Sequence, residues 1–233
     1  MNEIKNINLL KNRAIKGVLV LTSRTFLLQI IALGATFLLT VFLQPAEYGV
    51  FFVVSAIVNF LIYFSDIGLA AALIQKKEEI SEEDLKTTFT IQQILVFSII
   101  ILVFIFSGKI AFFYKLSYQG LWLFRALVIS FFLSSLKTIP SIILERGLYF
   151  EKLIIPSVVE TLLFYIIAVF LAWQGYGISS FTVAVLIRGI SGLLVIYLLA
   201  PWKPSFGIVK KSAQKLLSFG IPFQLNSLLA LIK

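Results

Sequence analysis

Positions 89–106 read FTIQQILVFSIIILVFIF, without one charged residue. A stretch of that length and polarity matches the ~20 apolar residues needed to cross the ~30 Å hydrocarbon core of a bilayer. Comparable stretches recur along the chain, separated by short polar punctuation. Lipid offers no water to unpaired backbone groups, so each spanning stretch must close its hydrogen bonds internally as a helix. The fold class implied is an all-α integral membrane protein: a six-helix transmembrane lobe plus the start of a seventh helix.

Composition narrows the function. With 60% hydrophobic and 13% charged residues and a mean hydropathy of +1.02, the segments outside the spans are too short for a soluble catalytic domain. The net charge of +9 would suggest nucleic acid in a soluble chain. Here the bias of membrane proteins toward cytoplasmic Lys and Arg accounts for it. There is no Cys and no His. That removes thiol nucleophiles, disulfides, triads built on His or Cys, and the commonest metal ligand. No glycine-rich phosphate loop appears. Neither enzyme activity, cofactor, metal nor nucleic-acid partner is expected.

Six spans follow from hydropathy and turn residues, at 17–43, 48–74, 85–107, 121–144, 153–173 and 178–200. Gln44-Pro45-Ala46-Glu47 turns the first into the second. Ser81 with Asp84 forms a capping box before the third. A loop is expected at 108–120, and Pro140 should kink the fourth span by removing a backbone hydrogen bond. The basic segment 1–16 is read as cytoplasmic. Ile4, Ile7, Leu10 and Ala14 could form the apolar stripe of a surface helix; a frayed tail fits equally. Residues 17–200 form the lobe, 201–215 a cytoplasmic linker, and 216–233 the start of a second lobe.

Orientation follows from the basic residues. With the N-terminus inside, Lys76, Lys77, Lys86, Arg146, Lys152, Lys203, Lys210, Lys211 and Lys215 join the basic N-terminal segment on the cytoplasmic side. Lys109 and Lys115 face the other way, as the positive-inside rule expects. Trp122 and Trp173 should then mark the outer interface and Trp202 the inner one. The acidic run Glu78, Glu79, Glu82, Glu83 and Asp84 reads as a solvated loop face.

Arg24, Asp66, Lys137, Glu160 and Arg188 fall inside spans, each costing about 2.5–3.5 kcal/mol at a helix centre. At ~1.5 Å per residue, the first four lie ~10–12 Å from the cytoplasmic helix ends and Arg188 ~18 Å from its own. Thr22, Thr25, Gln29, Thr36 and Thr40 share a face of the first span; Ser55 and Asn59 share one with Asp66. Ser130, Ser134, Lys137, Ser141 and Glu145 line the fourth, and Ser157 and Thr161 flank Glu160. The third span is almost featureless past Gln93 and should face lipid. These stripes suit a bundle around an inward-opening hydrated cavity. Candidate cavity residues are Arg24, Gln29, Asn59, Lys137 and Arg188; Asp66 and Glu160 are candidates for ion coupling or pairing. Snorkelling of Arg24 and Lys137, and structural pairs Asp66–Arg24 or Glu160–Lys137, remain open.

Arg24, the turn Leu43-Gln44-Pro45-Ala46-Glu47-Tyr48-Gly49, and Asp66-Ile67-Gly68-Leu69 occur here in order. Glu145-Arg146-Gly147-Leu148-Tyr149-Phe150-Glu151-Lys152 and Phe219-Gly220-Ile221-Pro222 follow. In these elements the chain resembles the N-terminal half of the O-antigen and capsule repeat-unit flippases. That family belongs to the multidrug/oligosaccharidyl-lipid/polysaccharide exporter superfamily. The resemblance implies two six-helix lobes in a MATE-like bundle and twelve to fourteen helices in all. It further implies transfer of polyprenyl-pyrophosphate-linked oligosaccharide from the inner to the outer leaflet of a bacterial plasma membrane by alternating access. By that comparison the chain is expected to be a truncated copy, partnered by lipid-linked oligosaccharide, membrane lipid, and a second-lobe polypeptide or homodimer. A cation-coupled drug exporter of the same superfamily and a non-functional fragment are the alternatives. A membrane glycan ligase or polymerase is disfavoured by outer loops of only about 4–13 residues.

Overall fold

The structure, a computed structural model, describes the backbone of residues 2–63, 65 and 67–232 and the side chains from Thr22 onward, except those of residues 228, 231 and 232. The described residues form helices and no strands. In order these are α1 (Asn2–Phe42), α2 (Pro45–Ile62), α3 (Leu69–Gln75), α4 (Glu82–Phe113), α5 (Tyr118–Ser135), α6 (Thr138–Arg146), α7 (Phe150–Trp173), α8 (Ser179–Leu199) and α9 (Lys210–Ile232). Five of these are long and apolar enough to cross a membrane, and the bent pair α5–α6 makes a sixth span. The chain is an all-α, multi-pass membrane protein.

Turn chemistry sets the boundaries. Pro45 opens α2, where its missing N–H costs nothing, and the Gln44 backbone N–H donates to Glu47 Oε2 at 2.8 Å. Ser81 and Asp84 form the expected reciprocal cap of α4. Gly175 and Gly177 take positive φ in the tight turn from α7 to α8.

Three boundaries differ from the hydropathy reading. First, α1 runs unbroken from Asn2, with no separate surface helix before position 17. Second, the expected helix 48–74 is broken between α2 and α3. Gly68 sits there at φ +78°, and a Cβ on it would fall 2.2 Å from the Gly220 carbonyl oxygen of α9. The break is therefore locked by backbone packed on backbone. Gln224 of α9 donates to the Tyr63 carbonyl at 2.9 Å, near the end of the interrupted hydrogen-bond ladder. Third, α4 continues through Gly108 to Phe113, leaving only positions 114–117 as the expected loop. In a bilayer an unpaired backbone costs more than a glycine in a helix.

The kink lies where proline chemistry puts it. Pro140 has no N–H for the Leu136 carbonyl four residues back, and α5 and α6 meet there at 41°. Tyr197 of α8 donates its hydroxyl to that carbonyl at 3.1 Å. Buried Gln92 and Gln93 of α4 brace the same bend, donating to Thr138 at 2.9 Å and Ser135 at 3.2 Å. The third expected span thus shows lipid its apolar face, including Phe97, Ile101 and Ile105, and turns its glutamines inward.

Besides a core of α2, α4 and α5 around Val54, Val96 and Phe124 and a small one around Leu144 and Ile196, two apolar cores occupy opposite ends of the bundle. One joins α1, α5, α7 and α8 through Leu39, Leu123, Phe164 and Phe181. The other joins α3, α4, α6 and α9 through Leu73, Phe89, Ile139 and Leu216. Trp202, expected in an interfacial belt, is buried in this second core, edge-on to Phe89 at 5.1 Å. Between the cores the packing opens.

Candidate functional site

Three hollows adjoin in that opening. One of about 530 Å³ lies among α1, α2, α7 and α8, bordered by Arg24, Gln29, Thr36, Tyr48, Phe51 and Arg188. A second, of about 410 Å³, is bordered by Ser55, Asn59, Ser130, Ser134, Lys137, Glu160 and Arg188. A third, of about 300 Å³, is bordered by Arg24, Lys137, Ser141, Glu145, Ser157 and Glu160. Arg24, Lys137, Glu160 and Arg188 each border two of them, so the hollows meet at the charges. All five expected cavity residues, Arg24, Gln29, Asn59, Lys137 and Arg188, border this space, as do Thr25 and Thr36 of α1 and the serine and threonine stripes of α2, α5–α6 and α7, whereas Thr22 and Thr40 do not. Asp66, the remaining candidate, lies outside the described residues, and with it the proposed Arg24–Asp66 pair.

The charges form a chain of contacts. Lys137 Nζ, at the bend between α5 and α6, contacts Glu160 Oε1 of α7 at 2.5 Å. Arg188 Nε of α8 stands 3.8 Å from Glu160 Oε2. Lys137 and Glu160 are 16% and 12% exposed, whereas Arg188 is 50% exposed. The guanidinium of Arg188 also lies over the Phe164 ring, 5.8 Å from its centroid, an arrangement that holds a cation without neutralising it. Arg24 Nη2 donates to Ser157 Oγ at 2.7 Å, and its buried Nε finds no partner among the described residues. Among the described residues three cations face two carboxylates, Glu160 and Glu145, an excess of one positive charge.

The Glu160–Lys137 contact matches one of the two pairings open in the sequence. Its extension to Arg188 had no signal there, because Arg188 has no acidic residue on its own helix. Arg125 was overlooked altogether. It sits two turns into α5, 5.4 Å from the Trp122 ring, with Nη2 3.5 Å from Ser107 Oγ. Its place near a helix end, beside an interfacial tryptophan, was the available clue.

A second charged cluster lies where α3, α4 and α9 converge. Asp84, read from the sequence as solvated, is 4% exposed. It accepts from Lys76 Nζ at 2.5 Å, from the Ser81 backbone N–H at 3.1 Å and from the Ser212 hydroxyl. Arg146 donates to the carbonyls of Leu73 at 2.8 Å, Lys76 at 2.6 Å and Glu78 at 2.9 Å. It thereby satisfies backbone acceptors that the end of α3 leaves open. Among the described residues no group of three or more carboxylates could hold a metal ion.

Bundle and hollows together define a multi-pass membrane protein with polar and charged side chains in its interior. Residues 38–233 match the family described as polysaccharide biosynthesis protein, and the chain belongs to that family. No curated protein and no solved structure matches it.

Proposed function

We propose that this chain moves polyprenyl-diphosphate-linked oligosaccharides across a bacterial plasma membrane by alternating access, as a flippase of the oligosaccharide-exporter type. The observation that carries the reading is the convergence of Arg24, Lys137 and Arg188 on three adjoining hollows, with net positive charge among the described residues. Guanidinium groups pair with phosphate oxygens through two parallel hydrogen bonds, so a cationic hollow suits a diphosphate. Serine, threonine and asparagine along the walls offer partners for sugar hydroxyls. A basic end carrying Lys76, Lys77, Lys203, Lys210, Lys211 and Lys215, against Lys109, Lys115 and Arg125 opposite, supports an N-terminus on the cytoplasmic side. In this reading the protein is a transporter rather than an enzyme, and lipid-linked oligosaccharide is its partner.

Family membership in polysaccharide biosynthesis supports glycan over drug export. Arg24→Ala and Arg188→Ala, introduced into the chromosomal gene, should each deplete surface polysaccharide while the protein remains in the membrane. Normal surface glycan in both variants would overturn the reading.

A further inference from the structure

Glu160 does not project into open space. It is seated against the backbone of α8, where a Cβ on Gly192 would fall 1.6 Å from Oε1 and 2.3 Å from Cδ. Any other residue at 192 would move the carboxylate. The same helix carries Arg188 four residues earlier, on the same face. One turn of α8 thus supplies both the floor under Glu160 and a cation beside it, while Lys137 closes from the α5–α6 bend.

The two contacts are unequal. Lys137 is tight at 2.5 Å, and Arg188 is loose at 3.8 Å and half-exposed. A hydrogen-bonding role alone would be met by Gln, without the cost of carrying a second charge into the membrane. Two carboxylate oxygens bridging two cations reproduce the geometry that two phosphate oxygens would adopt there.

We propose that Glu160 is a tethered placeholder in the anion site formed by Lys137 and Arg188. It occupies the pair in the empty protein. An incoming diphosphate displaces it from Arg188, the looser partner, while Lys137 retains it. This rests on the reading of the hollows as a diphosphate site, and it makes Glu160 a positioning residue that sets which anions enter. A tethered carboxylate competes at high effective concentration. Monovalent anions are shut out, and a ligand with several charges and a fork of oxygens prevails. Because Lys137 and Glu160 border two of the hollows, the exchange also reshapes the wall between them.

The test is inorganic pyrophosphate titrated by calorimetry into the full chain in phosphatidylcholine nanodiscs. Glu160→Gln removes the competitor, and Gly192→Ala evicts it while leaving every charge in place. Each should bind pyrophosphate more tightly than the native chain, by roughly tenfold where one ion-pair contact no longer competes. Damage to packing would weaken binding, so a gain separates the proposal from a structural role. If one variant fails to fold, the other decides. A native chain that binds, with folded variants binding no more tightly, overturns the placeholder and leaves the diphosphate reading intact. No binding by the native chain or by either folded variant overturns both.

Discussion

Two charged clusters in this bundle are built on opposite principles. At the convergence of α3, α4 and α9 the buried and half-buried charges are heavily partnered: Asp84 has Lys76, Ser81 and Ser212, and Arg146 has four backbone carbonyls, those of Leu73, Ile74, Lys76 and Glu78. In the interior, among the described residues, Arg188 has one ion-pair partner, at 3.8 Å, beside the Phe164 ring, with half its side chain exposed, and Arg24 Nε has no partner. The first cluster encloses its charges in an apolar core, and the second places them around hollows. A saturated network fixes geometry. An unsaturated one in the same low-dielectric setting keeps a surplus of cationic hydrogen-bond donors available for a ligand.

That contrast breaks first at Asp84. Asp84→Ala takes from Lys76, which is 12% exposed, its 2.5 Å carboxylate and leaves it only the longer contact to Glu78 at 3.8 Å and the Glu79 carbonyl, and it removes the carboxylate side of the α4 cap. Breaking a buried pair by deleting one partner costs about 3–5 kcal/mol. A large drop in the detergent-solubilised unfolding midpoint should follow; an unchanged midpoint would erase the distinction between the clusters. Tyr197→Phe is a smaller perturbation at the boundary of the interior. It leaves the Leu136 carbonyl at the bend without its hydroxyl partner and should cost about 1 kcal/mol. Arg188→Ala should cost less again in stability, below about 1 kcal/mol, because its ion pair is long and half-exposed. A cost as large as that of Asp84→Ala would show that Arg188 is a structural clamp.

The parts legible in the sequence are those set by local chemistry. Span existence follows from hydropathy, the α4 start from Ser81 with Asp84, and the α5–α6 bend from Pro140, whereas Pro45, read as part of a turn before a helix from Tyr48, is the first residue of α2. The polar faces were readable because helical periodicity places Ser130, Ser134 and Lys137 on one side. What escaped depends on neighbours distant in sequence. Hydropathy cannot register the interruption after Ile62, because the apolar pattern runs through it and Gly220, more than 150 residues on, locks it. Asp84 looked solvated within an acidic run, because its partners Lys76 and Ser212 come from α3 and α9. The seat of Glu160 on Gly192 was equally invisible, since a lone glycine in a helix carries no signal until its neighbour is known.

The weakest effect expected lies at the edge of the saturated cluster. Lys215 of α9 contacts Glu78 at 2.5 Å, with both side chains more than half exposed. The hydrogen bond and charge of Lys215 hold the Glu78 carboxyl below its ordinary value of 4.5. A carboxylate lowered in the folded state contributes fully above its unfolded value and loses that contribution as pH falls through the folded one. The hold of Glu78 on α9 should therefore be constant from neutrality down to about pH 5 and fade only below the ordinary carboxylate range. The absence of native cysteine makes the measurement direct. Spin labels at exposed Glu79 and Gln214 should report one unchanged distance from pH 7 to about pH 5, broadening only at lower pH. In a Lys215→Gln background the ion pair is absent at every pH, so the broader distribution should be present already at pH 7 and change little on acidification. Broadening already near pH 6 in the native sequence would place this contact outside the saturated network and move the boundary between the two clusters inward to Asp84.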